Sequence, residues 1–111
     1  MNVYKGLFFE SGDEVLRVGG EVDASNAFVF LDEIRRQTLQ GPFVLDMTGV
    51  RLIDYSGLGA LVQSASCMDG AGPLRIRPSP EVYRALVATG LDTLRGIEVQ
   101  ASDEMGGSLV A

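Results

Sequence analysis

The stretch Asp54-Tyr55-Ser56-Gly57-Leu58-Gly59 sets a carboxylate, two hydroxyls and two glycines directly ahead of an apolar helical repeat. Such a segment reads as a helix start. Asp54 can accept hydrogen bonds from the first unpaired amides, the helix dipole favours negative charge there, and the glycines let a second backbone or a phosphate come close. The same residues also suit a plain cap followed by tight packing of the helix on a sheet, and spacing alone does not separate the two. A dinucleotide loop is not completed, because the third glycine position after Gly57 and Gly59 holds Val62. The other unusual connection is Gly19-Gly20-Glu21-Val22-Asp23, a glycine-rich turn between a strand and a helix with Asp23 or Ser25 as N-cap. Asp46, at a strand end, has the position of a phosphoacceptor aspartate, but the acidic pair and the late lysine that such a domain needs are missing.

The residue inventory narrows the chemistry further. Among 111 residues there is no histidine or tryptophan, Cys67 is the only cysteine, and Lys5 is the only lysine. Triad catalysis, Cys/His metal clusters, a Walker lysine and a buried lysine base therefore drop out. No two carboxylates have a spacing that predicts a shared cleft, so the chain is expected to be neither an enzyme nor a holder of a metal or cofactor. Nine cationic against fifteen anionic residues give a net charge of −6, which argues against nucleic acid and anionic membrane surfaces as partners. No apolar run approaches a membrane span and the N-terminus lacks a secretory pattern, so no membrane insertion is expected and the cytoplasm is the expected compartment.

The elements around these loops follow from periodicity. Val3 to Glu10 reads as a strand closed by Ser11-Gly12-Asp13, with Glu14 to Val18 as its antiparallel partner until Gly19-Gly20 breaks it. Ala27, Phe30, Leu31 and Ile34 recur at helical spacing up to Gly41-Pro42, and Phe43-Val44-Leu45 reads as a strand buried on both faces, followed by a connector from Met47 to Ile53. Leu58, Leu61, Val62, Ala65 and Met68 predict a second helix, stopped by Asp69-Gly70-Ala71-Gly72-Pro73, with Cys67 near its apolar side as a small buried thiol. Leu74 to Arg77 is a strand with Arg75 and Arg77 on a solvated face. Ser79-Pro80 opens a third helix lined by Val82, Leu86 and Val87, Gly90 ends it, and Ile97 to Gln100 is a last strand. The order β-β-α-β-α-β-α-β in one short chain predicts a single α/β domain: a sandwich with a mixed sheet of four to five strands and helices packed against it. Residues 102–111 are expected to be a weakly structured tail or short helix, since Gly106-Gly107 interrupts them. Both unusual loops, Gly19 to Asp23 and Asp46 to Ser56, should emerge at or near the carboxyl ends of the central strands, where such sheets carry their sites.

Taken together, Gly20-Glu21-Val22-Asp23, Val44 to Val50 and Ile53 to Leu61 resemble the STAS domain, and in particular the bacterial anti-anti-sigma factors, or anti-sigma factor antagonists. The resemblance runs from Val3 to about Gln100 and includes Ser79-Pro80-Glu81-Val82 and Thr89-Gly90-Leu91. It implies a STAS-type fold and a partner-switching role in transcriptional regulation. Such a protein binds an anti-sigma factor that is also a serine kinase and thereby frees a sigma factor. Phosphorylation at the helix start ends the binding, and a phosphatase restores it. By the same resemblance Glu21, Asp23, Asp54, Tyr55, Ser56, Gly57 and Leu58 are the partner-binding candidates. One position departs from the pattern: the residue after the motif aspartate, a serine or threonine acceptor in phosphorylated members, is Tyr55, with the hydroxyl amino acid following at Ser56. Ser56 is used instead, or Tyr55 is itself modified, or the domain is never switched off. Alternatives to the sigma pathway are a STAS adaptor subunit of a transport or signalling complex and a small-ligand or nucleotide sensor.

Overall fold

In the computed structural model, which describes residues 2–68, 70 and 72–100, alternation of apolar and polar side chains builds one six-stranded sheet. Its strands are β1 (Asn2–Tyr4), β2 (Leu7–Gly12), β3 (Val15–Val22), β4 (Val44–Ile53), β5 (Leu74–Pro78) and β6 (Ile97–Val99), side by side in chain order. The first three form an antiparallel meander, and β3 to β6 are parallel. Each parallel step is made through a helix, α1 (Ala27–Thr38), α2 (Tyr55–Ser66) and α3 (Pro80–Thr89), the last followed by a single 3-10 turn, Leu91–Thr93. The expected α/β sandwich with a mixed sheet is therefore the fold, with six strands where four to five were expected.

Inward-facing Leu7, Phe9, Leu16, Leu45, Ile76 and Ile97 meet Phe30 and Ile34 of α1, Leu61 of α2, and Val82 and Leu86 of α3 in one apolar core. Fully burying each large apolar side chain contributes about 1.5–3 kcal/mol, so the helices are held on the sheet by these contacts more than by their own propensity. The opposite face carries no helix. There Glu10, Arg17, Asp46 and Arg77 stand in register on β2, β3, β4 and β5, with ion pairs of 3.5, 3.9 and 3.8 Å between successive residues. Arg75 and Glu98 form another cross-strand pair at 3.5 Å, so the two strand arginines on the outward face are engaged as well as partly solvated.

Several boundaries differ from the periodicity. The first strand is two: Lys5 and Gly6, at φ 44° and 81°, make a two-residue hairpin turn that joins β1 to β2. Gly12 pairs with Val15 inside the ladder, and the turn that follows is Asp13-Glu14, with Glu14 at φ 62°. Gly19 and Gly20 do not end β3; they lie in it between two register shifts, and Glu21 donates its amide to Gly6 O at 3.0 Å. Gly20 has φ 95°, and a side chain on it would have no room beside Gly6 O. The supposed connector Met47 to Ile53 is the second half of β4, disguised because bulged pairing buries Met47, Val50 and Ile53 three residues apart. Helix α2 begins at Tyr55, Val87 and Cys67 are exposed, and the expected tail 102–111 and part of the stop at 69–73 lie outside the described residues.

Candidate functional site

The parallel ladder pairs Val22 with Ile53, the last residues of β3 and β4, and the Asp54 amide donates to Val22 O at 3.1 Å. Hence the β3–α1 loop and the start of α2 leave the sheet side by side at its carboxyl edge. Asp54 is extended, at φ −101° and ψ −173°, and its Oδ1 accepts from the Gly57 amide at 3.1 Å, so it is the cap that its position suggested. Gly57 lets the helix start sit on the strand ends: a Cβ there would lie 2.6 Å from Ile53 Cγ1 and 2.8 Å from Val22 Cγ1. Tyr55 and Ser56, in the first turn, point outward, Tyr55 with 83% of its surface exposed.

The β3–α1 loop is organised differently from the expectation. Asp23 and Ser25 are not the cap of α1; Asn26 occupies that position, and its side chain bonds away from the helix. The Asn26 side chain, fully buried, donates through Nδ2 to Lys5 O (3.0 Å) and Glu21 O (2.9 Å) and accepts through Oδ1 from the Asp23 amide (2.9 Å). It thereby ties the β1–β2 turn, the end of β3 and the start of α1 together. Asp23 Oδ1 accepts from the Ser25 hydroxyl at 2.6 Å and from its amide at 2.9 Å. The hydroxyl bond first, and the amide bond after it, hold the Asp23 carboxyl below its ordinary value and keep it charged. Sequence reasoning missed Asn26, whose signal was a cap-forming residue directly before the first apolar helical position.

Not every candidate reaches this surface. Asp23, Asp54, Tyr55 and Ser56 gather on it. Leu58 and Gly57 are buried: Leu58 belongs to the core, because the fourth position of α2 faces the sheet, so both support the surface from beneath instead of presenting side chains. Glu21 is turned to the helix-free face by strand alternation and lies 3.4 Å from Arg51. Tyr55 stands between two hollows. One, of about 550 Å³, runs between α1 and α2; the other, of about 270 Å³, lies between the start of α2 and the end of α3, against Ala85, Ala88 and Thr89. Among the described residues no group of three His, Cys, Asp or Glu side chains is placed to hold a metal ion, and no helix is long and apolar enough to cross a membrane. What the arrangement offers is an exposed corner with two outward hydroxyls, suited to contact or modification.

A family model described as the STAS domain matches residues 9–102. Among solved structures, an anti-sigma factor antagonist from Mycobacterium paratuberculosis superposes with a TM-score of 0.67 at 22% identity, over 95% of this chain and 93% of that one. The anti-sigma factor antagonist SpoIIAA in its unphosphorylated form gives 0.59 at 18% identity, over 94% and 95%. The Bacillus cell fate determinant SpoIIAA in the phosphorylated form gives 0.54 at 18%, over 95% and 99%. No curated protein matches the sequence significantly. At these identities the structural likeness establishes the fold.

Proposed function

The chain belongs to the STAS domain family, and from that premise we propose that it is an anti-sigma factor antagonist, a cytoplasmic regulator that binds an anti-sigma factor serine kinase and so releases a sigma factor. The observation that carries this reading is the Val22–Ile53 register, which sets the locked Asp23 loop beside the exposed Tyr55 and Ser56. Asp23, Asp54, Tyr55 and Ser56 form the contact surface, with Gly57 and Leu58 shaping it from below and Glu21 at its border; none of them is assigned a catalytic role. A phosphate at the start of α2 adds about −1.5 to −2 charges, which the dipole tolerates within the domain but a packed partner does not.

Tyr55 favours a second form of the same reading. A phenol extends several Å beyond a serine hydroxyl, so a serine kinase site misplaces it, and binding then persists without the phosphate switch or its phosphatase. The same property suits a STAS adaptor subunit of a transport or signalling complex. The test uses the wild-type chain and Asp23→Arg as affinity baits in the source cytosol, with mass spectrometry of the retained proteins. A kinase with an ATP site, retained by the wild type and lost with Asp23→Arg, is the expected result. A transporter ATPase or scaffold in its place selects the adaptor. Incubation of the wild type and Tyr55→Ser with the recovered kinase and ATP should add 80 Da, on the order expected for one phosphoryl group, to the variant alone; modification of the wild type at Ser56 or Tyr55 overturns the unswitched form.

A further inference from the structure

Helix α2 has no charged residue in its twelve positions, although 22% of the chain is charged. Its outward positions are Tyr55, Ser56, Gly59, Val62, Gln63 and Ser66. A helix face that meets only water normally carries charges, as α1 does beside it with Asp32, Glu33, Arg35 and Arg36. Depletion of charge with an exposed tyrosine is instead the composition found in the middle of protein interfaces. Gly59 points the same way: a Cβ on it would meet nothing within 4 Å, so the domain's own packing does not require glycine, which lowers helix stability by about 0.8–1 kcal/mol relative to alanine. Across the hollow of about 550 Å³, α1 contributes Leu31 and Phe28, the latter 63% exposed.

Charge selects the occupant. On the helix-free face Arg17, Arg51, Arg75 and Arg77 pair with Glu10, Glu21, Asp46 and Glu98, which leaves that face neutral among the described residues. Asp23 and Asp54, in the loops that lead into α1 and α2, have no cationic partner among the described residues. A second copy of the chain would set like charges against them; a basic partner neutralises them.

We infer that the groove between α1 and α2 seats an amphipathic helix of the partner polypeptide. Its apolar residues, spaced three and four apart, lie over Gly59 and beside Tyr55 and Val62, and its basic residues face Asp23 and Asp54. This deepens the reading of the chain as a partner-binding module and does not depend on the partner being a kinase.

The experiment places the photo-crosslinker p-benzoylphenylalanine at position 62 of the full chain, with position 39 as control, since Leu39 is 88% exposed but lies at the other end of α1. After irradiation in the source cytosol, crosslinked peptides are sequenced, and a synthetic peptide of the captured segment is titrated against the wild type, Val62→Glu and Leu39→Glu. The expected result is one segment with helical apolar spacing and flanking Lys or Arg, whose affinity falls at least about tenfold for Val62→Glu at unchanged melting temperature, and not for Leu39→Glu. Crosslinks to this chain itself, to a segment without that pattern, or no more at position 62 than at 39 overturn the inference. Capture of the expected segment from a protein without a kinase domain upholds the groove and removes the kinase reading.

Discussion

Gly57 and Gly59 lie two positions apart in the first turns of α2 and look alike in the sequence, yet their surroundings are opposite. A methyl on Gly57 would run into the γ-carbons of Ile53 and Val22, while one on Gly59 enters open space. Gly57→Ala is therefore expected to lower unfolding free energy by about 1–3 kcal/mol through overpacking, and Gly59→Ala to raise it by about 0.5–1 kcal/mol through helix propensity. Urea unfolding of both variants checks the pair, and equal effects would mean that the start of α2 is not seated on the strand ends as described. At this scale the sequence was readable where chemistry is local. Asp54 as cap, and Ser79 capping α3 through a 3.1 Å bond from Val82 N, follow from residue type and position. Burial of Leu58 follows from the apolar repeat it shares with Leu61, whereas the exposure of Val62 in the same repeat was not readable, because it depends on which side of the helix meets the sheet.

At the scale of elements, the β3–α1 loop holds its form through Asn26 and the hydroxyl of Ser25, and both make testable contributions. Asn26→Ala leaves the Lys5 and Glu21 carbonyls and the Asp23 amide without their partner, at a cost of about 2–4 kcal/mol. Hydrogen exchange at the Asp23 amide should accelerate by more than exchange in β4, where the variant changes no bond. Asp23 also gives the loop a pH dependence. Its carboxyl titrates below the ordinary aspartate value, so its contribution to folding is complete above that value and is lost as pH falls through the lowered one. Ser25→Ala removes the stronger of the two bonds and should move the midpoint upward, towards the ordinary aspartate value, in an NMR titration; an unmoved midpoint would discard the Ser25 hydroxyl as the cause. The loop was legible as a special connection but not as this one, because Asn26 acts through backbone groups 21 and 5 positions away.

Over the whole molecule, the α/β class and the placing of both loops at one edge followed from the order of strand and helix patterns. The six-strand count did not. The bulges that let β3 run through Gly19-Gly20 and β4 run on to Ile53 arise from pairing between strands more than twenty residues apart, which local alternation does not record. The same pairing separates charge between the two faces, and Asp46 tests how much that separation stabilises. Its Oδ1 accepts from the Thr48 amide and hydroxyl at 3.0 and 2.7 Å, while its Oδ2 lies between Arg17 and Arg77. Asp46→Asn keeps an acceptor for Thr48 but removes the charge that separates two arginines, so a loss of about 1 kcal/mol is expected, kept small by the solvent around both guanidinium groups. The loss should shrink in 1 M salt, where the screening length falls to about 3 Å. Asp46→Ala should lose more, since the Thr48 bonds go as well, and that excess should persist in salt. Urea unfolding at two salt concentrations separates the contributions; Asp46→Asn as stable as wild type at low salt would mean that the ladder is simply solvated. Because Asp46 lies on the helix-free face, away from Asp23, Asp54 and the outward side of α2, Asp46→Asn should also leave partner affinity unchanged where Val62→Glu weakens it, which distinguishes a surface that holds the sheet together from one that meets another polypeptide.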